Sequence, residues 1–237
     1  MKKQYRLALD TETTGTIDKP LAYDVGFAVV DNKGNIYDSY SFVNYDIYAK
    51  EREKMKSAYY AKKLPQYEVD LRNGSRTLAT FYTIRKVMLA AMKKYGINTI
   101  VAYNTDFDRR ALNNTFRYVT NGKFNYFFPK DTKFLDAWAM ACNSVCKTPA
   151  YRKTAYENGW FSEKGNIRTT AETVYAFISG QDEFEEDHTA LEDVMIEAVI
   201  MAYCWNKTTP AQREIVYNPW RIPQKEWYYT EHRKDMA

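Results

Sequence analysis

Carboxylates recur along this chain in three short groups whose spacing would put oxygen atoms where a divalent cation needs them. The first, Asp10-Thr11-Glu12-Thr13-Thr14-Gly15, ends an apolar run that reads as a strand. Side chains alternate faces along a strand, so Asp10 and Glu12 project the same way. Two carboxylates side by side on a buried sheet repel unless a cation lies between them, and Mg²⁺ and Mn²⁺ favour oxygen ligands. Alone, Asp-x-Glu fits an exposed strand end with two solvated acids equally well. A second pair, Asp106 and Asp108, stands in Asn104-Thr105-Asp106-Phe107-Asp108. Acids in a first helical turn complement the helix dipole, yet the carboxyl end of a strand is also where open α/β sheets hold ligands. The third group is His188-Thr189-Ala190-Leu191-Glu192-Asp193. Thr189 with Glu192 fits a capping box, which makes Thr189 the N-cap. His188 and Asp193 then occupy the two positions that meet across a helix start, imidazole against carboxylate. The other histidine, His232, lies in the tail.

These groups need elements to position them. Apolar periodicity predicts strands at Tyr5–Leu9, Ala22–Val30 and Ile36–Val43, with Asn32-Lys33-Gly34-Asn35 as a hairpin turn. Short connections make these three an antiparallel meander. A charged helix is expected over Asp46–Lys63, then loop over Leu64–Arg76, where Pro65 and Asn73-Gly74 stand. Thr77–Tyr95 carries Leu78, Phe81, Ile84, Val87, Met88, Ala91 and Met92 at steps of three and four, an amphipathic helix closed by Gly96. Asn98–Tyr103 reads as a buried strand, Asp106–Val119 as a helix, Lys133–Asp136 as an extended piece leading into a helix through Cys146, and Thr189–Trp205 as the last helix. The fold class expected is α/β: a mixed sheet of three antiparallel strands followed by parallel strands, flanked by helices.

At 237 residues the chain suits one domain with additions. No apolar run approaches the 18 residues of a membrane span, and the N-terminus lacks the apolar stretch of an export signal. Cys142, Cys146 and Cys204 are too few for a disulfide framework and lack a second pair for zinc, so all three read as reduced thiols. A soluble, cytoplasmic protein is expected. The net charge of +4 is carried by Lys50–Arg76, with eight basic residues against four acids, among which stand Tyr59, Tyr60 and Tyr67. Cations for phosphates and rings for stacking suit single-stranded nucleic acid. A solvated amphipathic helix with its tyrosines packed inward is the plainer reading of that segment and the favoured one.

Taken in order, the three acidic groups resemble the motifs of the DEDDh (DnaQ-like) 3′–5′ exonuclease family, whose fold is ribonuclease H-like. Asp10-Thr-Glu12-Thr-Thr-Gly matches the first motif, Asn104-Thr-Asp-Phe107-Asp108 the second, and His188 followed five positions later by Asp193 the third. The resemblance spans about Tyr5 to Trp205. It does not account for the basic segment or for the tail, where Pro210, Pro219 and Pro223 interrupt any helix and Trp220, Trp227, Tyr228 and Tyr229 crowd together. Residues 1–206 are thus expected as an exonuclease domain with a basic, tyrosine-containing insertion at about 46–76. Residues 207–237 are expected as an extension packed on that domain.

By resemblance, Asp10, Glu12, Asp108 and Asp193 hold two Mg²⁺ (or Mn²⁺) ions and His188 is the general base. Of the second pair, the motif selects Asp108 over Asp106. Substrate contacts are expected from Thr11, Thr13, Asn104 and Phe107, with Thr13 against the terminal sugar and Phe107 beside the base, although Phe107 suits the core as well. The expected reaction removes nucleoside 5′-monophosphates from 3′ ends of single-stranded nucleic acid, DNA slightly preferred over RNA. A polymerase or other replication protein is a further expected partner. The alternative is a non-catalytic nucleic-acid-binding or polymerase-associated module of the same fold, which would have no need for four converging carboxylates.

Overall fold

Strands β1 (Tyr5–Thr16), β2 (Lys19–Asp31) and β3 (Ile36–Asn44) form the antiparallel meander of a computed structural model that describes residues 4–56 and 58–216. Helices α1 (Tyr45–Tyr48), α2 (Arg52–Met55) and α3 (Leu64–Asn73) lead to strand β4 (Thr77–Ala79) and helix α4 (Phe81–Tyr95). Strand β5 (Thr99–Ala102), helix α5 (Thr105–Thr120) and strand β6 (Lys133–Asp136) follow. Helix α6 (Ala137–Ala141) continues into a π turn at Cys142–Cys146, and α7 (Pro149–Glu157), α8 (Ala171–Ser179) and α9 (Ala190–Trp205) complete the layers. The six strands run in the order β4-β3-β2-β1-β5-β6, with β5 parallel to β1 and β6 parallel to β5.

Period-two alternation divides β1 between two cores. Leu7 and Leu9 face the layer that contains Ile84 and Met88 of α4 and Leu112 of α5. Ala8 faces the layer that contains Met140, Val174, Val194 and Met201. Ala8 and Ala28 on this second face are small, and Gly26 is the smallest by necessity: a Cβ there would lie 2.3 Å from the backbone carbon of Ala190. Glycine therefore lets the first turn of α9 rest directly on β2. Gly26 is the cross-strand partner of Asp10, so this close approach brings α9 over the first acidic group.

The segment read as one charged helix over Asp46–Lys63 is broken into α1, α2 and a 3-10 turn at Ala61–Lys63. It has no continuous apolar stripe to hold a long helix down, since Ile47 and Met55 are the residues that α1 and α2 bury. The stretch read as loop contains α3. Pro65 stands in its first turn, where a missing N–H costs nothing, and Gly74 ends it at φ 80°. The helix read from Thr77 begins at Phe81, because Thr77–Ala79 pairs beside β3 and Thr80 caps the helix by accepting from the Thr83 N–H. Helices α7 and α8 were not among the expected elements.

The three cysteines are buried free thiols. Residues 207–216 fold back on α9, with the Arg213 guanidinium 3.6 Å from the Trp205 ring. The expected aromatic cluster Trp220, Trp227, Tyr228 and Tyr229, with His232, lies outside the described residues. Among the described residues no helix is long and apolar enough to cross a membrane.

Candidate active site

Strand β1 pairs with β5 only at Leu7–Ile100 and Ala8–Val101. Beyond that point β5 turns away into α5, and the edge of β1 from Asp10 onward borders a cleft of about 830 Å³. Asp10 and Glu12 stand on its floor, as their alternation requires. Asp193 arrives from the first turn of α9, and the ligand oxygens of Asp10, Glu12 and Asp193 lie within 4.8 Å of one another. Asp108 enters from the first turn of α5, where its Oδ1 accepts a hydrogen bond of 2.8 Å from Thr11 Oγ1. Asp106 turns instead to ion pairs with Arg109 and Arg110. All nine residues singled out in the sequence line this one cleft: Asp10, Glu12, Asp108, Asp193 and His188, and with them Thr11, Thr13, Asn104 and Phe107.

The cleft also holds residues that the sequence reading did not single out, notably Glu186 and Glu197, with Lys164 and Arg168 on an exposed rim. Glu197 had a legible signal. It stands one helical turn after Asp193, so a helix carrying one into the cleft carries both.

Burial governs the chemistry of these acids. Among the described residues none of Asp10, Glu12, Asp108, Asp193 and Glu197 forms an ion pair. Asp10 Oδ2, Asp193 Oδ1 and Glu197 Oε2 are buried without a hydrogen-bond partner. Loss of water, and then the neighbouring acids Asp108, Glu197, Asp193 and Glu12, hold Asp10 well above the usual carboxylate range. Burial and Asp193 push Glu12 up to about 9. Burial pushes Asp193 and Asp108 up to about 7, against the hydrogen bond from Thr11 in the case of Asp108. Such a set of unpartnered oxygens fits hard divalent cations, which replace the protons and cancel the repulsion.

The same shifts predict how the metal-free protein responds to pH. Unfolded carboxyls titrate near pH 4, whereas these keep their protons in the folded state up to about 7 for Asp108 and Asp193 and about 9 for Glu12. Between those limits the folded state binds more protons than the unfolded, so stability falls as pH rises. Thermal melts in chelator are expected to show Tm declining from pH 5 to pH 9, with Mn²⁺ or Mg²⁺ restoring it most at the alkaline end. A Tm that is flat in pH and indifferent to the cation would show that the acids do not interact.

His188 ends the loop that leads into α9, at φ 50°, a left-handed conformation that costs a non-glycine residue roughly 1–2 kcal/mol. Its ring stacks on Tyr60, with centroids 4.4 Å apart and planes 14° apart, and its Nδ1 lies 3.8 Å from Glu186. The expected contact between imidazole and Asp193 is therefore corrected. The His188 backbone N–H is what favours the ionised Asp193, and the ring lies against Tyr60 instead. The expected capping box is also altered. Thr189 is the N-cap but its hydroxyl binds the Glu192 carboxylate, and Asp24 Oδ2 accepts from the Ala190 N–H at 3.1 Å.

Asp24 belongs to a buried network. Arg76 donates to Asp24 at 3.0 Å, to Asp70 at 2.9 Å and to Glu192 at 3.0 Å, and the Tyr67 hydroxyl donates to Asp24 at 2.7 Å. Arg76 and Tyr67 come from the basic segment, so part of that segment anchors the start of α9. Its lysines Lys50, Lys54 and Lys56 pair with Asp46, Glu51 and Glu53. The inward-packing reading holds for Tyr67, while Tyr60 faces the cleft and Tyr59 is 87% exposed at its edge.

No family model matches this chain, and no curated protein matches its sequence. Solved structures do. The structure of exonuclease I in complex with inhibitor BCBP superposes at TM-score 0.51 with 12% identity, covering 90% of this chain and 43% of that one. E. coli exonuclease I in complex with a 5cy-dT13 oligonucleotide gives TM-score 0.50 and 17% identity, covering 89% and 42%. The chain shares the fold of those structures, a mixed α/β sheet of the ribonuclease H-like kind. The chain spans about two fifths of the length of the exonuclease I chains that share the fold. In this chain the cleft lies where β1 outruns β5, with α5 contributing Asp108 and α9 contributing Asp193 and Glu197.

Proposed function

We propose that this protein is a metal-dependent 3′–5′ exonuclease of the DEDDh type that acts on single-stranded nucleic acid, with DNA slightly preferred over RNA. The observation that carries this reading is the convergence of Asp10, Glu12 and Asp193 within 4.8 Å, with unpartnered buried oxygens, beside Asp108 and His188 in one cleft. Asp10, Glu12, Asp108 and Asp193 are the residues that would hold Mg²⁺ or Mn²⁺. Two such ions, bound there, would activate a water and neutralise charge on the leaving oxygen.

The chain's own residues do the rest. His188 would take a proton from the attacking water as the water oxygen bonds to phosphorus and the bond from phosphorus to the 3′ oxygen of the preceding nucleotide breaks. That oxygen takes a proton from solvent to become the new 3′ hydroxyl, and the terminal residue leaves as a nucleoside 5′-monophosphate. Burial lowers the His188 pKa below its ordinary value of 6.5, and Lys63 and Lys62 lower it further against the pull of Glu172. The ring is thus unprotonated at neutral pH, as a base must be. It has to leave the Tyr60 stack to reach the acids. Thr13 and Asn104 are available to the terminal sugar and Phe107 to the base. Tyr59 offers an exposed ring for stacking, and Lys164 and Arg168 offer charge to the phosphates.

Support for a single-stranded substrate comes from exonuclease I, which shares the fold and has been solved with a 5cy-dT13 oligonucleotide. On this reading residues 1–206 form the catalytic unit and 207–237 an extension of it. The test is a 5′-labelled oligonucleotide incubated with Mg²⁺ or Mn²⁺ on matched DNA, RNA and duplex substrates. A shortening ladder on the single strands is expected. A gel shift without shortening would favour a binding module instead.

A further inference from the structure

Glu197 is a carboxyl residue that the four-acid reading leaves without a task. It lies in the middle of α9, 5% exposed, where the helix packs on the sheet. One helical turn from Asp193, it reaches the same cleft. Its Oε2 has no hydrogen-bond partner, and no Lys or Arg among the described residues is paired with it. The charged groups that act on it most are acids, Asp108 and Asp193 first and then Glu186, and the Tyr103 backbone N–H just past β5 is a donor that favours its ionised form. Ionised, a buried carboxyl with one unpartnered oxygen among other acids is strongly unfavourable, so it holds a proton until a cation takes the proton's place. A purely structural side chain at this position would be served better by an apolar residue, as its neighbours Ala198, Ile200 and Met201 show.

We propose that Glu197 is a fifth carboxylate of the cation centre, giving an oxygen ligand to a divalent ion held among Asp10, Asp108 and Asp193. The inference rests on the cation centre proposed above. Four carboxylates already balance two divalent cations, so a fifth leaves the loaded site with a surplus negative charge and binds the ions more tightly.

The test is Mn²⁺ binding, read by calorimetry and by the electron paramagnetic resonance signal of free Mn²⁺, on wild type, Glu197→Gln and Asp193→Asn, with chelator melts of each. Glutamine keeps the shape and removes the charge. Glu197→Gln is expected to weaken Mn²⁺ binding by at least about tenfold, the scale of losing a group that supports a metal site, with a metal-free Tm no lower than that of wild type. Wild-type affinity and stoichiometry in Glu197→Gln, alongside weakened binding in Asp193→Asn, would overturn the fifth-ligand role and leave the four-acid centre standing. A Glu197→Gln protein that unfolds in chelator while wild type stays folded would overturn it too, by assigning Glu197 to the fold. Absence of Mn²⁺ binding by wild type would remove the centre itself.

Discussion

Replacing Asp10 by Ala or Asp193 by Asn is expected to abolish metal-dependent shortening of a 3′-ended oligonucleotide while leaving the protein folded. Cation catalysis contributes several kcal/mol of transition-state stabilisation, so the loss should be about 10³-fold or more at 1.36 kcal/mol per decade. The fold should survive because neither side chain is held by an ion pair. Asp10 Oδ2 and Asp193 Oδ1 have no hydrogen-bond partner to lose. Each substitution also removes a charge from a set of acids that repel one another, so metal-free Tm should be unchanged or raised. Oligonucleotide digestion read beside a thermal melt separates the outcomes. Near-normal digestion by either variant would disprove the assignment of these acids to the cation centre.

The second large effect is expected at His188. Loss of a general base costs 10²–10⁴-fold, and His188→Ala should lose activity on that scale while still binding Mn²⁺. The pH profile gives a sharper reading. Burial, Lys63 and Lys62 keep the His188 pKa below 6.5. At Mn²⁺ concentrations that keep the centre loaded across the range, the wild-type rate should therefore fall as pH drops through a value under 6.5, where the ring becomes protonated, and His188→Ala should lose that step. A rate unchanged by the substitution would remove His188 from the base role. Tyr60 bears on the same residue, since its ring holds the imidazole in the described position.

Much of this site could be read from residue types and spacing because it is built on local regularities. The Asp10–Glu12 pair needs only strand alternation, and Asp108 needs only a helix that starts where a strand ends. The strand meander and the parallel strands after it followed from period-two runs and short turns. What escaped depended on contacts distant in the chain. The β4 strand exists because β3 offers it an edge, which Thr77-Leu78-Ala79 does not announce. The capping box at Thr189 was locally correct in its N-cap but not in its bonds, because the Glu192 carboxylate takes the Thr189 hydroxyl and an Arg76 donor 116 residues away in sequence instead of a backbone N–H. Arg76 was counted among the cations of a segment read mainly as solvated, and is a buried hub for three acids. Proline misled at Leu64–Asn73, where it opens a helix rather than breaking one. Glu197 was within reach of an i, i+4 argument, but no motif drew attention to it.

The cation centre is tested most directly by growing crystals in Mn²⁺ and recording anomalous scattering at the manganese edge. Two peaks are expected in the cleft, each coordinated by oxygens drawn from Asp10, Glu12, Asp108 and Asp193. A cleft without anomalous signal at millimolar Mn²⁺, or manganese bound only at acids elsewhere on the surface, would contradict the exonuclease reading at its foundation.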